Sequence, residues 1–181
     1  MTIDYLSSRD IQKLNRDLRV MLMTDGTLTR VLSAMSNQSI AVQILDQRET
    51  ESSNMGSADV GLRGILRRRI LLRGQDSHDT FVAAESIIVK EYMPESVLTL
   101  LLETNEPLGE VMKSSNLGTT KDPAVIWRAE LPTWIPVEHR RAASSDAVAR
   151  RYQVLLGEVP VVSITEYFLV ETFDGRQVSV R

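Results

Sequence analysis

Two stretches of this chain alternate with period two, and that alternation limits what it can fold into. From Leu66 to Arg73 the even positions read Leu66, Arg68, Ile70, Leu72, while Arg67, Arg69 and Arg73 fall on the odd face, which is predicted to be the wet one. From Val161 to Val170 the even positions read Val162, Ile164, Glu166, Phe168, Val170, and the odd positions are more polar. Such alternation belongs to strands with one face against a core, because successive strand side chains point to opposite sides. The chain must therefore build a sheet.

The punctuation between the strands predicts how they are joined. Ile65–Leu72 and Phe81–Val89 flank the turn-forming Gly74-Gln75-Asp76-Ser77, and Arg151–Leu156 and Val161–Glu171 flank Gly157-Glu158-Val159, so both pairs read as hairpins. Further strands are expected at Ser39–Gln47 and Val125–Leu131. Ser7 and Ser8 can cap a helix carrying Ile11, Leu14, Leu18, Met21 and Leu22. Asp25-Gly26 breaks that helix and Thr27 can cap another with Leu28, Val31, Leu32 and Met35. Pro94-Glu95 starts a helix through Leu98, Leu101 and Leu102, and Pro107 suits the first turn of one with Leu108 and Val111. Arg48–Ala58 reads as a polar loop, and the basic, Ala/Ser-rich run Glu138–Arg151 as a mobile surface connection. Hairpin-linked strands with helices bunched between them give an α+β class, an antiparallel β-sheet with helices packed on it, in a single domain over residues 1–181.

Composition removes several kinds of chemistry. With no cysteine there is no disulfide, thiolate nucleophile or iron–sulfur ligation. Of the two histidines, His78 sits in the turn-like Gln75–Asp79 stretch and His139 in a basic run, so neither a metal site nor a Ser-His-Asp site is expected. A net charge of −3 gives no field for nucleic acid or an acidic membrane surface. The polar start from Met1 to Arg9 is no signal peptide, and no apolar run reaches membrane-span length, so a cytoplasmic protein is expected.

Each alternating strand carries one charge on its apolar face. Arg68 stands alone among aliphatics, and Glu166 is a lone carboxylate on an apolar stripe. An unpaired buried charge costs several kcal/mol, so each needs a partner. The bland reading is that Arg68 and Glu166 pair with each other across the sheet. The functional reading is an apolar pocket with a cation at one end and a carboxylate at the other, shaped for a small ring bearing a carboxylate and a hydroxyl. Periodicity alone does not choose. Glu85, in the stripe Phe81, Ala83, Glu85, Ile87, Val89, is expected to line the same cavity or to neutralise Arg68.

The order of these segments resembles the chorismate pyruvate-lyase family, in its branch from cyanobacteria, mycobacteria and archaea. The resemblance covers roughly Leu14 to Val170 and rests on four anchors. These are Asp25-Gly26-Thr27-Leu28-Thr29-Arg30, then Arg68-Arg69-Ile70-Leu71-Leu72 with Phe81-Val82-Ala83-Ala84, then Glu106-Pro107-Leu108-Gly109, and last Pro160–Phe168 with Thr165-Glu166 at its centre. The resemblance implies that Arg68 grips the ring carboxylate of the substrate and Glu166 hydrogen-bonds the ring hydroxyl. Backbone amides at Thr27 and Leu108 would complete the carboxylate cradle, at helix starts where free N–H groups favour an anion. The better-known branch has Met where this chain has Thr27, and an arginine in place of Glu85. For the second substrate carboxylate, Arg128, Lys113 and Lys121 are all candidates.

The implied reaction converts chorismate to 4-hydroxybenzoate and pyruvate with no cofactor. Loss of the ether together with the neighbouring ring hydrogen makes the ring aromatic, so the protein supplies orientation and electrostatics rather than a reactive group. Glu166, desolvated by Ile164 and Phe168, would act as donor or acceptor at the hydroxyl. Arg68→Ala and Glu166→Ala are each expected to lower turnover sharply with the fold intact. The product would feed quinone head-group synthesis or a phenolic lipid. Two rival readings stay open: a sensor domain of the same fold that binds a small aromatic acid without cleaving it, and a docking protein using the basic Arg140–Arg151 segment.

Overall fold

A computed structural model of the chain describes residues 3–52, 63–137 and 146–173. The strands are β1 (Asp4–Tyr5), β2 (Ile40–Ser52), β3 (Arg63–Gly74), β4 (Thr80–Val89), β5 (Thr119–Lys121), β6 (Val125–Glu130), β7 (Asp146–Leu156) and β8 (Val159–Leu169). The helices are α1 (Ser8–Gln12), α2 (Arg16–Met23), α3 (Leu28–Ser36), α4 (Glu95–Glu103) and α5 (Leu108–Ser114). All described strand pairs are antiparallel, in one eight-stranded sheet ordered β1-β6-β7-β8-β4-β3-β2 with β5 added against β7. The expected α+β class holds. No helix among the described residues is long and apolar enough to cross a membrane.

Several boundaries differ from the sequence expectation, each for a local reason. The N-terminal helix is two: Ser7 and Asp10 close a capping box on α1, and Asn15 then accepts from Asp17 N–H at 2.8 Å, starting α2 anew. β2 runs on to Ser52, so residues 48–52 of the expected loop are strand and residues 53–58 lie outside the described residues. The exposed residues 48–51 pair with Gly64–Arg67 through the backbone ladder, which needs no apolar alternation. β7 begins at Asp146, so Arg150 and Arg151 are strand residues flanked on both sides by β6 and β8. The rest of that expected connection, residues 138–145 with His139, lies outside the described residues. A strand buried on both faces shows no alternation, which is why Ala147, Val148 and Ala149 read as linker. β8 ends at Leu169, and Val170–Phe173 forms a 3₁₀ turn.

The β3–β4 turn is pinned from outside. The Gln38 carboxamide oxygen accepts from Asp76 N–H at 3.1 Å and Ser77 N–H at 3.0 Å. A Cβ on Gly74 would lie 2.3 Å from that oxygen, so a larger residue there would push the Gln38 carboxamide off the turn. His78 takes the left-handed conformation at φ 59 and serves the turn.

The helices pack on the face carrying the even residues of β3, β4, β7 and β8. α2 and α3 cover one half, over Ile70, Leu72, Val82, Val148 and Phe168. α4 and α5 cover the other, over Leu66, Ile88, Val154 and Val162. The opposite face is not simply wet, because Leu71, Ala83, Ala147 and Leu169 are buried there beneath Leu131 and Ile135. Glu85 belongs to that side: it accepts from Arg69 Nε at 2.7 Å, beneath Trp134, and neither lines the cavity nor faces Arg68. Register explains the correction, since Arg69 stands opposite Glu85 whereas Arg68 stands opposite Ser86.

Candidate active site

A cavity of about 400 Å³ opens between the two helical clusters. Its floor is the sheet, and cross-strand register defines it. One row runs Arg68, Ser86, Ile164, Tyr152; the next runs Ile70, Ala84, Glu166, Arg150. Arg68 and Glu166 therefore lie two strands and two residues apart, about 12 Å at the backbone. Between them β4 offers only Ala84 and Ser86, and these small side chains make the hollow.

The roof is two helix starts. Thr27 is the N-cap of α3 but makes no side-chain cap bond, and Pro107 is the N-cap of α5, so the first N–H groups of both helices need other partners. The starts converge: a Cβ on Gly109 would sit 3.6 Å from Thr27 Cγ2. Arg30 of α3 clamps Glu110 of α5 with bonds of 2.7 and 3.0 Å. Thr27, Leu108 and Glu166 all line the cavity. Arg68 does not line it directly; it sits behind the wall, beside Ser86 and beneath the turn that leads to Pro107 and Leu108.

Two buried arginines hold the two helix–helix turns. Arg68, 1% exposed, donates to the carbonyls of Thr104 at 3.2 Å and Glu106 at 2.8 Å, between α4 and α5. Arg150, 2% exposed, donates to the carbonyls of Met21, Leu22 and Thr24 at 2.7 to 3.0 Å, between α2 and α3. A cation is well placed at a helix C-terminus, where unpaired carbonyls carry partial negative charge. The two then differ. Arg150 Nε also donates to Glu166, forming a buried ion pair, and its guanidinium stacks on Tyr152 and Phe168. Arg68 has no carboxylate partner among the described residues, and its Nε–H has no hydrogen-bond partner. Burial with no countercharge pulls its guanidinium below the ordinary arginine value.

The Arg68–Glu166 ion pair of the bland reading is therefore not formed; each charge answers to different groups. Glu166 accepts on its other oxygen from the Tyr152 hydroxyl at 3.2 Å. Burial first, and then the Glu166 charge, push that phenol well above the usual tyrosine range, so it remains a donor. Arg150 and Tyr152 were legible as a stripe, since Val148, Arg150, Tyr152, Val154 repeats the pattern of a lone charge on an apolar face. That pattern was hidden by reading Arg150 as part of a linker. Of the three cations considered for a second carboxylate, Lys113 and Lys121 line the cavity. Arg128, on β6, lies near Asp4 at 3.9 Å and away from it.

A single antiparallel sheet with helices packed on one face defines an α+β fold that solved structures share. PhnF from Mycobacterium smegmatis shares the fold at TM-score 0.64 and 12% identity, over 82% of this chain and 66% of that one. The isolated effector domain of that PhnF matches at TM-score 0.63 and 13% identity, over 82% of this chain and 91% of that one. Likeness at that identity shows the fold alone. Sequence goes further: residues 22–174 match the family model described as chorismate pyruvate-lyase Rv2949c-like. The chorismate pyruvate-lyase of Mycobacterium tuberculosis strain ATCC 25618 / H37Rv is 42% identical over 178 residues, covering 96% of this chain and 89% of the relative. That of Mycobacterium leprae strain TN is 41% identical over 182 residues, covering 96% and 83%. The chain belongs to the chorismate pyruvate-lyase family.

Proposed function

We propose that this cavity cleaves chorismate to 4-hydroxybenzoate and pyruvate, with Arg68 binding the ring carboxylate and Glu166 the ring hydroxyl. One observation supports these roles above the others. Two buried arginines hold equivalent turns, one is neutralised by a carboxylate, and the other has none among the described residues. A buried cation with an idle N–H is stabilised by an incoming anion. The amides at the starts of α3 and α5, around Thr27 and Leu108, would share that carboxylate.

The hydroxyl end is preorganised. Tyr152 and Arg150 occupy Glu166 from two sides, so the carboxylate is the acceptor and the substrate hydroxyl the donor. With the ring held at both ends, the hydrogen on the hydroxyl-bearing carbon passes to the enolpyruvyl methylene. The ether C–O bond breaks, the ether oxygen becomes the keto oxygen of pyruvate, and the ring becomes aromatic. The balance closes within the substrate, and the protein's work is orientation in a charged cavity.

The test is to mix the purified chain with chorismate and follow 4-hydroxybenzoate and pyruvate together. Equal release of both above the spontaneous rate supports the assignment. Binding of 4-hydroxybenzoate without turnover would make the cavity a sensor site instead.

A further inference from the structure

We propose that Lys121 binds the enolpyruvyl carboxylate of chorismate and so makes the cavity select the enolpyruvyl ring over a plain ring acid. The inference rests on the assignment above. Lys121 ends β5 and lines the cavity. Its Nζ donates to the Asp25 carbonyl at 2.9 Å and stands 5.0 Å from the centre of the Tyr152 ring. The ammonium is thus held in place from the α2–α3 turn and from β7. It has no carboxylate in ion-pair contact among the described residues, so a donor remains for an anion.

Substrate chemistry places the second carboxylate at this end. The ether is borne on the ring carbon next to the hydroxyl-bearing carbon. A ring whose hydroxyl rests on Glu166 therefore carries its enolpyruvyl group at the same end of the cavity, where Tyr152 bonds that glutamate. Lys121 lies close enough to Glu166 and Arg150 for their charges to act on it. The groups facing it are the carbonyl and the carboxylate of Asp25 from the α2–α3 turn, Tyr152 and Arg150 from β7, Glu166 from β8 and, also lining the cavity, Lys113 from α5. Burial lowers its pKa from the ordinary lysine value, with Glu166 and Asp25 opposing and Arg150 adding to the shift. A cation in that state gains from an arriving carboxylate. Lys113, in the last turn of α5, is exposed as Lys121 is, but has neither anchor.

The enolpyruvyl carboxylate keeps its charge from chorismate to pyruvate. Lys121 therefore binds ground state and transition state alike, and its loss falls on KM more than on kcat.

The experiment compares Lys121→Met, Lys121→Arg, Lys113→Met and Arg128→Met. It measures kcat and KM for chorismate, and the Kd for 4-hydroxybenzoate, which lacks the second carboxylate. Lys121→Met is expected to raise KM by about 10- to 100-fold while 4-hydroxybenzoate binds as in the wild type. Lys121→Arg should recover most of the loss, and Arg128→Met should behave as wild type. An unchanged KM in Lys121→Met, or the same KM pattern in Lys113→Met instead, overturns the proposal. Equal weakening of both ligands also overturns it, because Lys121 would then support the cavity rather than read the second carboxylate. A wild-type chain that releases no 4-hydroxybenzoate overturns the reaction itself, and this inference with it.

Discussion

Arg150 and Glu166 stand directly opposite each other across β7 and β8, and their side chains form an ion pair buried at 2% and 5% exposure. This arrangement changes what a Glu166 variant does. Removing one member of a buried pair strands the other, at a cost of about 3–5 kcal/mol. Glu166→Ala and Arg150→Met should therefore each unfold at markedly lower denaturant, rather than leave the fold intact. The double replacement Arg150→Met/Glu166→Met should recover much of that stability while remaining inactive. Denaturant titration of the three variants checks it, and additive losses in the double variant would count against the pair.

Arg68 predicts the opposite balance. Its replacement by methionine keeps the volume and removes a buried cation that has no carboxylate, at the loss of the bonds to Thr104 and Glu106. Stability should change by no more than about 2 kcal/mol, whereas affinity for 4-hydroxybenzoate should fall about 100-fold. Calorimetry of unfolding and of ligand binding on the same variant separates the two quantities.

Ala84 tests the floor. It is 6% exposed, lies between Arg68 and Glu166 on β4 and lines the cavity. Ala84→Leu would fill the space meant for the ring. Turnover should fall at least about tenfold, with a stability change of about 1–3 kcal/mol if the side chain is forced against the roof. A fully active Ala84→Leu protein would place the reacting ring elsewhere.

The pH dependence follows from Lys121 and Tyr152. Burial lowers the lysine, so its cation is lost as pH rises through a value below the ordinary 10.4 or so, and the KM for chorismate should climb on the alkaline side. Tyr152 is raised, stays protonated through that range and adds no limb of its own. Lys121→Arg should move the alkaline limb upward, which a KM–pH profile of both proteins would show.

The legible part of the protein was the part with a period. β3, β4 and β8 each bury one face against the helices, and the alternation of Leu66 to Leu72 and Val162 to Val170 carries that information in the chain. Helix starts at Thr27 and next to Pro107 were readable because residue preference at a helix start is local, although neither residue makes a side-chain cap bond. β7 was lost before Arg151 because Ala147, Val148 and Ala149 are buried on both faces, with no polar residue among them to mark the period, and resemble linker residues.

By itself, the sequence determined that this chain makes a sheet, that Arg68 and Glu166 point into its covered face, and which family the segments follow. Only the tertiary structure decided who answers those charges. Arg150 reaches Glu166 from the neighbouring strand and Arg68 reaches carbonyls 36 and 38 residues away, partnerships set by register and by which helix ends lie overhead. Periodicity tells which way a side chain faces. It carries no record of what stands across the sheet, because that depends on pairing between segments far apart in the chain.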